Sequence, residues 1–462
     1  MQNCIINKLR NYHKGMIKMR KILFVDDDHV VTKGLRKMLQ PMHHKWKMEF
    51  AVSGEEALSF MSQSSFDVVI SDLHLRGRGI CRGIDGAKLL DIVRERSPET
   101  VCIILSKPPD MEMALKSVKS AHQFLMKPSS VDTIKYAIER TCNLRDLLKN
   151  ETLVKTVTRI RNLPSLPSLY SMIVKEMQSP DASLKKVGYL ISQDVSMSAK
   201  ILQLVNSSFF GLPRKITDPQ RAAVYLGVDT LKALALSVNV FSSSTEDAEL
   251  CGFSLADMWK RSIMVGRLAQ DIARADTDDK KVLDEVMIAG MLHDIGKLIL
   301  LKVPEQYKQV MDLIKESGCD PVEAEYTVMK TSHAELGAYL LGLWGLPDII
   351  VETVAFHHNP SKLLENMVTK QNESSREDLA KTKSKGANSE SLSIEKQLTE
   401  FTTLTAVHLA DAMMIQKDRS SDITAHTSPD KLYLQTLNLT DTDRFSERVE
   451  YYNNVIQEGV LG

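Results

Sequence analysis

Histidine and aspartate stand side by side in MLHDIGKL, residues 291–298. Further candidates for metal ligation follow: His333 in SHAELG, His357 and His358 in AFHHNP, and Asp411 in VHLADAMM. Neighbours on a helix point about 100° apart. His293 and Asp294 can therefore share one divalent ion if other helices bring the remaining ligands, a donor set suited to phosphate-ester hydrolysis. Each histidine taken alone reads equally well as a buried, hydrogen-bonded residue between helices. Asp294 alone reads as a cap, or as a partner of Lys297 or Arg261.

A second set lies in the first third of the chain: Asp26, Asp27, Asp72, Ser106 and Lys127. Carboxylates brought to one place repel unless a cation sits among them. A hard cation with oxygen ligands, Mg²⁺ above all, would relieve that repulsion. An ammonium and a hydroxyl beside them complete what phosphoryl transfer to a carboxylate needs, which is positioning plus neutralisation of spreading charge.

These residues need elements to position them. KILFVDDD, FDVVISD, VCIILSK and QFLMKP are short apolar runs, and VVTKGLRKMLQ and AKLLDIVRER carry helical spacing between them. Continuous apolar strands alternating with helices imply a parallel sheet covered on both faces. Reactive groups collect at the carboxyl ends of such strands, where Asp26, Asp27, Asp72, Ser106 and Lys127 fall. From about residue 131 the pattern is nearly all helical. Residues 131–160 read as one long amphipathic helix, or two with a weak break, serving as a signalling connection or as an ordinary last helix and linker. NLPSLPSLY punctuates the chain with two prolines. Residues 360–400 are polar and poor in apolar anchors, and an apolar helix returns after 400.

At 462 residues the chain is long for one core, and two or three domains are expected. Its 59 basic residues match its 59 acidic ones, which argues against coating nucleic acid. No apolar run approaches the roughly 18–20 residues needed to span a bilayer. The basic N-terminus lacks the apolar stretch and small-residue site of a signal peptide. It reads as a disordered leader over 1–20, with Met16 and Met19 as alternative starts. Six scattered cysteines show no paired C-x-x-C spacing and fit a reducing cytoplasm.

FVDDD, VVISDLHL, IILS and FLMKP, in this order over about 21–145, resemble the receiver domain of two-component response regulators. The resemblance implies a flavodoxin-like (βα)₅ fold with Asp72 as the phosphorylated residue and Asp26 and Asp27 as the acidic pair. It implies Mg²⁺ held by Asp27, Asp72 and the His74 carbonyl. It also implies Ser106 as the switch hydroxyl, Lys127 as the phosphate-pairing cation, Phe124 as the mobile aromatic, and a cis peptide before Pro128. Two features depart from the pattern. The loop after Asp72, LHLRGRGICRGIDG, is long, and Lys107 occupies a usually small position; both are expected to alter phosphoryl lifetime or partner choice.

The histidine set resembles the HD superfamily of metal-dependent phosphohydrolases, whose ligand order is His, His-Asp, Asp. His293–Asp294 fit the middle and Asp411 the end, but Arg261 in DMWKRSIMVGRLAQDIAR stands where the first histidine belongs. No histidine occurs between Phe209 and Leu292. A guanidinium is permanently charged and has no lone pair for a metal. Upstream, DVSMSAKILQLVNSSFFG followed by AAVYLG is similar to the HDOD family, the HD-related output domain. That resemblance implies an all-α domain and no metal, with Arg261, His293, Asp294, His333, His357, His358 and Asp411 as the remnant of a site.

The expected layout is a leader (1–20), a receiver (21–145), a linker helix (146–158), an HDOD domain (159–358), a low-complexity insertion (359–400) and a C-terminal helical segment (401–462). The expected protein is a cytoplasmic bacterial response regulator. Its partners would be a sensor histidine kinase and an unknown downstream protein, with neither nucleic acid nor membrane insertion, and the receiver or linker helix would offer a homodimer contact. Its only catalysis would be receiver phosphotransfer and autodephosphorylation. A receiver-controlled, active HD-type phosphohydrolase or phosphodiesterase is the alternative.

Overall fold

The computed structural model describes residues 19–75, 84–107, 120–148, 150–160, 172–173, 176, 183–206, 212, 215–236, 255–362, 403–417, 430 and 432–433. Residues 76–83, Ser207 to Phe210 of NSSFF, residues 363–400 of the insertion expected over 359–400, and residues 1–18 lie outside them. The chain divides into two compact units, one of residues 13–246 with 339–347 and the other built on 247–338 and 348 onward.

The first unit opens with five parallel strands, β1 (Arg20–Val25), β2 (Trp46–Ala51), β3 (Val68–Ser71), β4 (Val101–Ser106) and β5 (Gln123–Met126), in the order β2-β1-β3-β4-β5. β3 and β4 are buried throughout, as expected of inner strands covered on both faces. β2 was not singled out from sequence, since as an edge strand it reads WKMEFA, with polar and apolar residues mixed. Helices α1 (His29–Met38), α2 (Gly54–Gln63), α3 (Gly86–Arg96) and α4 (Val131–Leu147) follow strands. Asp28, Ser53, Asp85 and Ser130 cap them, each side chain accepting from a backbone N–H of the first turn. The segment between β4 and β5, over 108–119, lies outside the described residues.

Residues 131–160 form two helices. α4 ends at Leu147, and α5 (Glu151–Arg159) starts afresh because the Asn150 side chain accepts from the amides of Thr152 and Leu153. The unit continues with α6 (Leu184–Ser192), α7 (Val195–Val205) and α8 (Pro219–Leu236), which is kinked at Gly227, where φ is +78°.

The second unit is helical: α9 (Leu255–Arg274), α10 (Lys280–Leu292), the short α11 (Lys297–Leu300), α12 (Pro304–Ser317), α13 (Pro321–Met329), α14 from His333, α15 (Asp348–Phe356) and α16 (Thr403–Lys417). α14 runs on to Leu343. α9, α10 and α15 all pack against α16. The helix expected to begin a separate C-terminal segment therefore belongs to the same core as the histidine-bearing helices. No described helix is long and apolar enough to cross a membrane.

Candidate functional site

The first site sits at the carboxyl ends of β1, β3, β4 and β5. Asp26 and Asp27 follow β1, Asp72 follows β3, Ser106 closes β4 and Lys127 follows β5. One carboxylate oxygen from each of Asp26, Asp27 and Asp72 lies within 4.8 Å of the others. The Lys127 ammonium donates to Asp26 Oδ2 at 2.5 Å and to Asp72 Oδ2 at 2.6 Å. The Ser106 hydroxyl donates to Asp72 Oδ1, which also accepts from the His74 amide at 3.3 Å. The peptide between Lys127 and Pro128 is cis, as the resemblance implied. Phe124 is buried on β5.

The charges are arranged for a nucleophile. Burial pushes the Asp72 carboxyl up, but Lys127 and Ser106 outweigh it and hold Asp72 below the ordinary carboxylate range. Burial prevails at Asp26, whose carboxyl is raised despite Lys127. Burial would lower the Lys127 ammonium, yet its two carboxylate partners raise it. Asp72 is thus the carboxylate kept anionic, with a cation held against it. An all-oxygen donor set with a carboxylate surplus over its single lysine fits Mg²⁺. Gly86 was missed by the sequence reading as a site residue. A Cβ there would overlap the Asp72 carbonyl, so only glycine lets α3 start against the backbone of Asp72.

Behind this pocket β5 reaches other parts of its unit. His122 Nε2 lies 2.9 Å from the Thr158 carbonyl, which also accepts from Arg94 at 3.0 Å. Gln123, next to Phe124, donates to the Gly342 carbonyl at 3.2 Å, and Arg140 on α4 donates to the Leu346 carbonyl. The Tyr339 and Thr158 hydroxyls meet at 3.4 Å. β5, which carries Phe124, and the residue before it are therefore bonded to α5 and to residues 339–347. None of these contacts was legible in the sequence, because each partner is a backbone carbonyl or a lone hydroxyl far along the chain.

The second site is built where three helices end or begin. His293 caps the end of α10, and Asp294 follows it. His333 is the first residue of α14, and His357 and His358 follow α15. Asp411 comes from α16 and Arg261 from α9. All the residues expected of the remnant converge. Asp294, His333, His357 and His358 offer ligand atoms within 4.8 Å of one another, and His293, His357 and Asp411 form an overlapping set.

Of the partners expected for Asp294, Lys297 is the one found: it donates to Asp294 Oδ2 at 2.9 Å, while the Arg261 guanidinium donates instead to Asp411 Oδ1 at 2.6 Å. The reason is packing: α9 lies against α16, and Lys297 stands one helical turn beyond Asp294. Burial pushes the Asp411 and Asp294 carboxyls up. Arg261 with His293, and His293 with Lys297, reverse this and hold both well below the usual range. Burial and the neighbouring charge of His293 push the His357 imidazole down to about 3, so it is neutral.

Three supporting residues were not singled out from sequence. Glu325 on α13 accepts from His333 Nδ1 at 2.8 Å. His408 on α16 donates from Nδ1 to the His357 carbonyl at 2.6 Å. A Cβ on Gly296 would overlap the His333 carbonyl, so MLHDIGKL needs its glycine for α14 to start beside Asp294. The signal for Gly296 was present in the motif, whereas Glu325 and His408 resembled any other helical polar residue.

Residues 22–139 match the family model of the response regulator receiver domain, and residues 163–360 match that of the HDOD domain. The chain joins a response regulator receiver domain to an HDOD domain. A protein of Treponema pallidum is 31% identical over 204 residues, 44% of this chain and 38% of that protein. A putative NtrX-like response regulator of Rickettsia felis is 28% identical over 142 residues, 29% of each chain. This receiver–HDOD chain thus spans well under two thirds of the length of these curated relatives. Among solved structures, the MmoQ response regulator of Methylococcus capsulatus is 19% identical, with a TM-score of 0.40, over 62% of this chain and 98% of that one.

Proposed function

We propose that this receiver–HDOD protein is a phosphorylation-controlled switch. A histidine kinase transfers a phosphoryl group to Asp72, and the HDOD domain responds by binding another protein rather than by chemistry of its own. The observation that carries this reading is the Asp72 carboxylate, held anionic between the Lys127 ammonium and the Ser106 hydroxyl.

Asp72 would attack the phosphorus of a phosphohistidine, and the P–N bond would break with the imidazole leaving. A Mg²⁺ ion bound by Asp27, Asp72 and the His74 carbonyl would supply neutralisation of the phosphoryl oxygens. Lys127 leaves its carboxylate partners to pair with the new phosphate, and Ser106 turns its hydroxyl from Asp72 to a phosphate oxygen. Both movements pull on the ends of β4 and β5. Phe124 resets, and its neighbours His122 and Gln123 carry the change to α5 and residues 339–347. α14, which opens with His333, ends in that segment. A pair-forming Arg261 in place of a ligand histidine, with Asp411 committed to it, supports a non-hydrolytic output.

Incubation with Mg²⁺ and a small phosphodonor is expected to add one phosphoryl group to the wild-type protein and none to Asp72→Ala. Equal labelling of both proteins would remove the reading. The second reading, hydrolysis, draws on the clustered histidines and aspartates. It predicts phosphodiester turnover with added Mn²⁺ that disappears in His293→Ala, and the switch reading predicts none.

A further inference from the structure

Three carbonyl groups at the end of α14 are taken by side chains from other elements of the first unit. Gln123 on β5 donates to Gly342 at 3.2 Å, Lys215 donates to Gly345 at 2.6 Å, and Arg140 on α4 donates to Leu346. The helix also closes on itself. The Gly345 amide reaches the Gly342 carbonyl at 3.0 Å, and the Leu346 amide reaches the Leu341 carbonyl at 3.1 Å. Even so, its last carbonyls need donors, and they lie at the negative end of the helix dipole. Two cations and an amide meet them there. The Lys200 ammonium on α7 stands 5.2 Å from the centre of the Trp344 ring. Leu341, Leu343, Trp344 and Leu346 are buried in this arrangement.

The end of α5 is held in the same way. Arg94 donates to the Thr158 and Ile160 carbonyls at 3.0 and 3.2 Å. His122 donates to Thr158 from Nε2, because its Nδ1 accepts the Cys102 amide at 2.9 Å. Receiver side chains thus supply donors at two helix ends, and one of those donors is placed to move. β5 is an edge strand, bonded to β4 alone. Ser106 pairs with Met126, the residue before Lys127, and Ile103 pairs with Gln123. The two groups drawn toward a phosphate on Asp72 therefore pull β4 and β5 from the same end. Gln123 divides its amide between the Gly342 carbonyl and the Thr141 hydroxyl, each at 3.2 Å. A shift of about 0.4 Å carries such a bond past useful length.

We propose that the receiver is a removable cap for the end of α14. At rest Gln123 and Arg140 hold its carbonyls. Phosphorylation of Asp72 draws Gln123 away, and the last turn with residues 344–347 opens. This inference rests on the phosphorylation reading above and names the element that phosphorylation regulates. A helix end suits the task, since its final turn opens far more readily than the helix as a whole.

The test uses the full chain with Mg²⁺ and acetyl phosphate. Intact mass reports the phosphoryl group. Hydrogen exchange reports the amides of Trp344, Gly345 and Leu346, each bonded within the turn. Phosphorylated wild type should exchange about tenfold faster there than the untreated protein, and Asp72→Ala should not change on treatment. Gln123→Ala should exchange fast without the phosphodonor and respond little to it. Lys215→Met removes an exposed donor from outside the receiver. It should exchange faster in both states and keep the full response, which separates a cap that phosphorylation removes from a contact that only stabilises. Wild type that gains the phosphoryl mass with exchange unchanged or slower would overturn the cap and leave phosphorylation of Asp72 standing. So would Gln123→Ala that exchanges like wild type. Wild type that gains no phosphoryl mass would overturn both.

Discussion

The receiver pocket and the helical cavity face the same electrostatic problem and answer it differently. Each gathers carboxylates beside a protein cation: Asp26 and Asp72 with Lys127, and Asp411 with Arg261. Lysine is a compact ammonium on a flexible stem, able to leave one anion for another. It sits at the open ends of strands, next to a partly exposed Asp27. Arginine is a planar fork that stays where it is bonded, and it sits among groups that are almost wholly buried. A lysine at a sheet edge suits a site that must exchange charge, and an arginine inside a helical core suits one that must not.

The largest test of this contrast is functional. Asp72→Ala is expected to abolish phosphoryl uptake, read by intact mass, while leaving the helical unit's thermal transition in place. Next comes stability. Arg261→Met should cost about 3–5 kcal/mol, measured by denaturant unfolding, because it strands a buried carboxylate. The double variant Arg261→Met/Asp411→Leu should recover most of that loss, since an apolar pair of similar size needs no counter-charge. Lys127→Met should cost less, and added Mg²⁺ should offset part of the loss, because a hard cation can take the place of the ammonium among the three carboxylates. If the two single variants cost the same and Mg²⁺ has no effect, the distinction between an exchangeable and a locked cation fails.

Smaller effects sharpen the same comparison. Gly86→Ala and Gly296→Ala each place a methyl group against a site carbonyl and should each cost about 1–3 kcal/mol, measured by thermal melting. Gly86→Ala should also slow phosphorylation, and Gly296→Ala should not. Asp67 provides the pH control. Burial pushes its carboxyl up, but Arg145, the Lys21 amide and Arg20 outweigh this and hold it below the ordinary value. A depressed folded-state carboxyl contributes stability above the unfolded value of about 3.9, and that stability fades as pH falls through the lower folded value. Asp67→Asn should therefore be less stable at neutral pH and show a shallower loss below about pH 4, followed by circular dichroism.

The sequence by itself determined which side chains the receiver gathers. In a parallel sheet the strand ends coincide, so acids and a lysine placed after apolar runs must meet, and Asp26, Asp27, Asp72, Ser106 and Lys127 do. It also located His293–Asp294 and marked Arg261 as a residue to place. It left open whether residues 131–160 hold one helix or two, which the Asn150 cap decides. Only the tertiary structure decided what Arg261 touches, because a helix leaves a long side chain free to reach any neighbour and the choice of neighbour is made by packing α9 on α16. The same packing divided the histidines into two overlapping sets and gave His333 its Glu325 partner. It also bonded β5 to residues more than two hundred positions along the chain. Periodicity records which face of an element is buried, and the identity of what lies against that face is written nowhere in the local sequence.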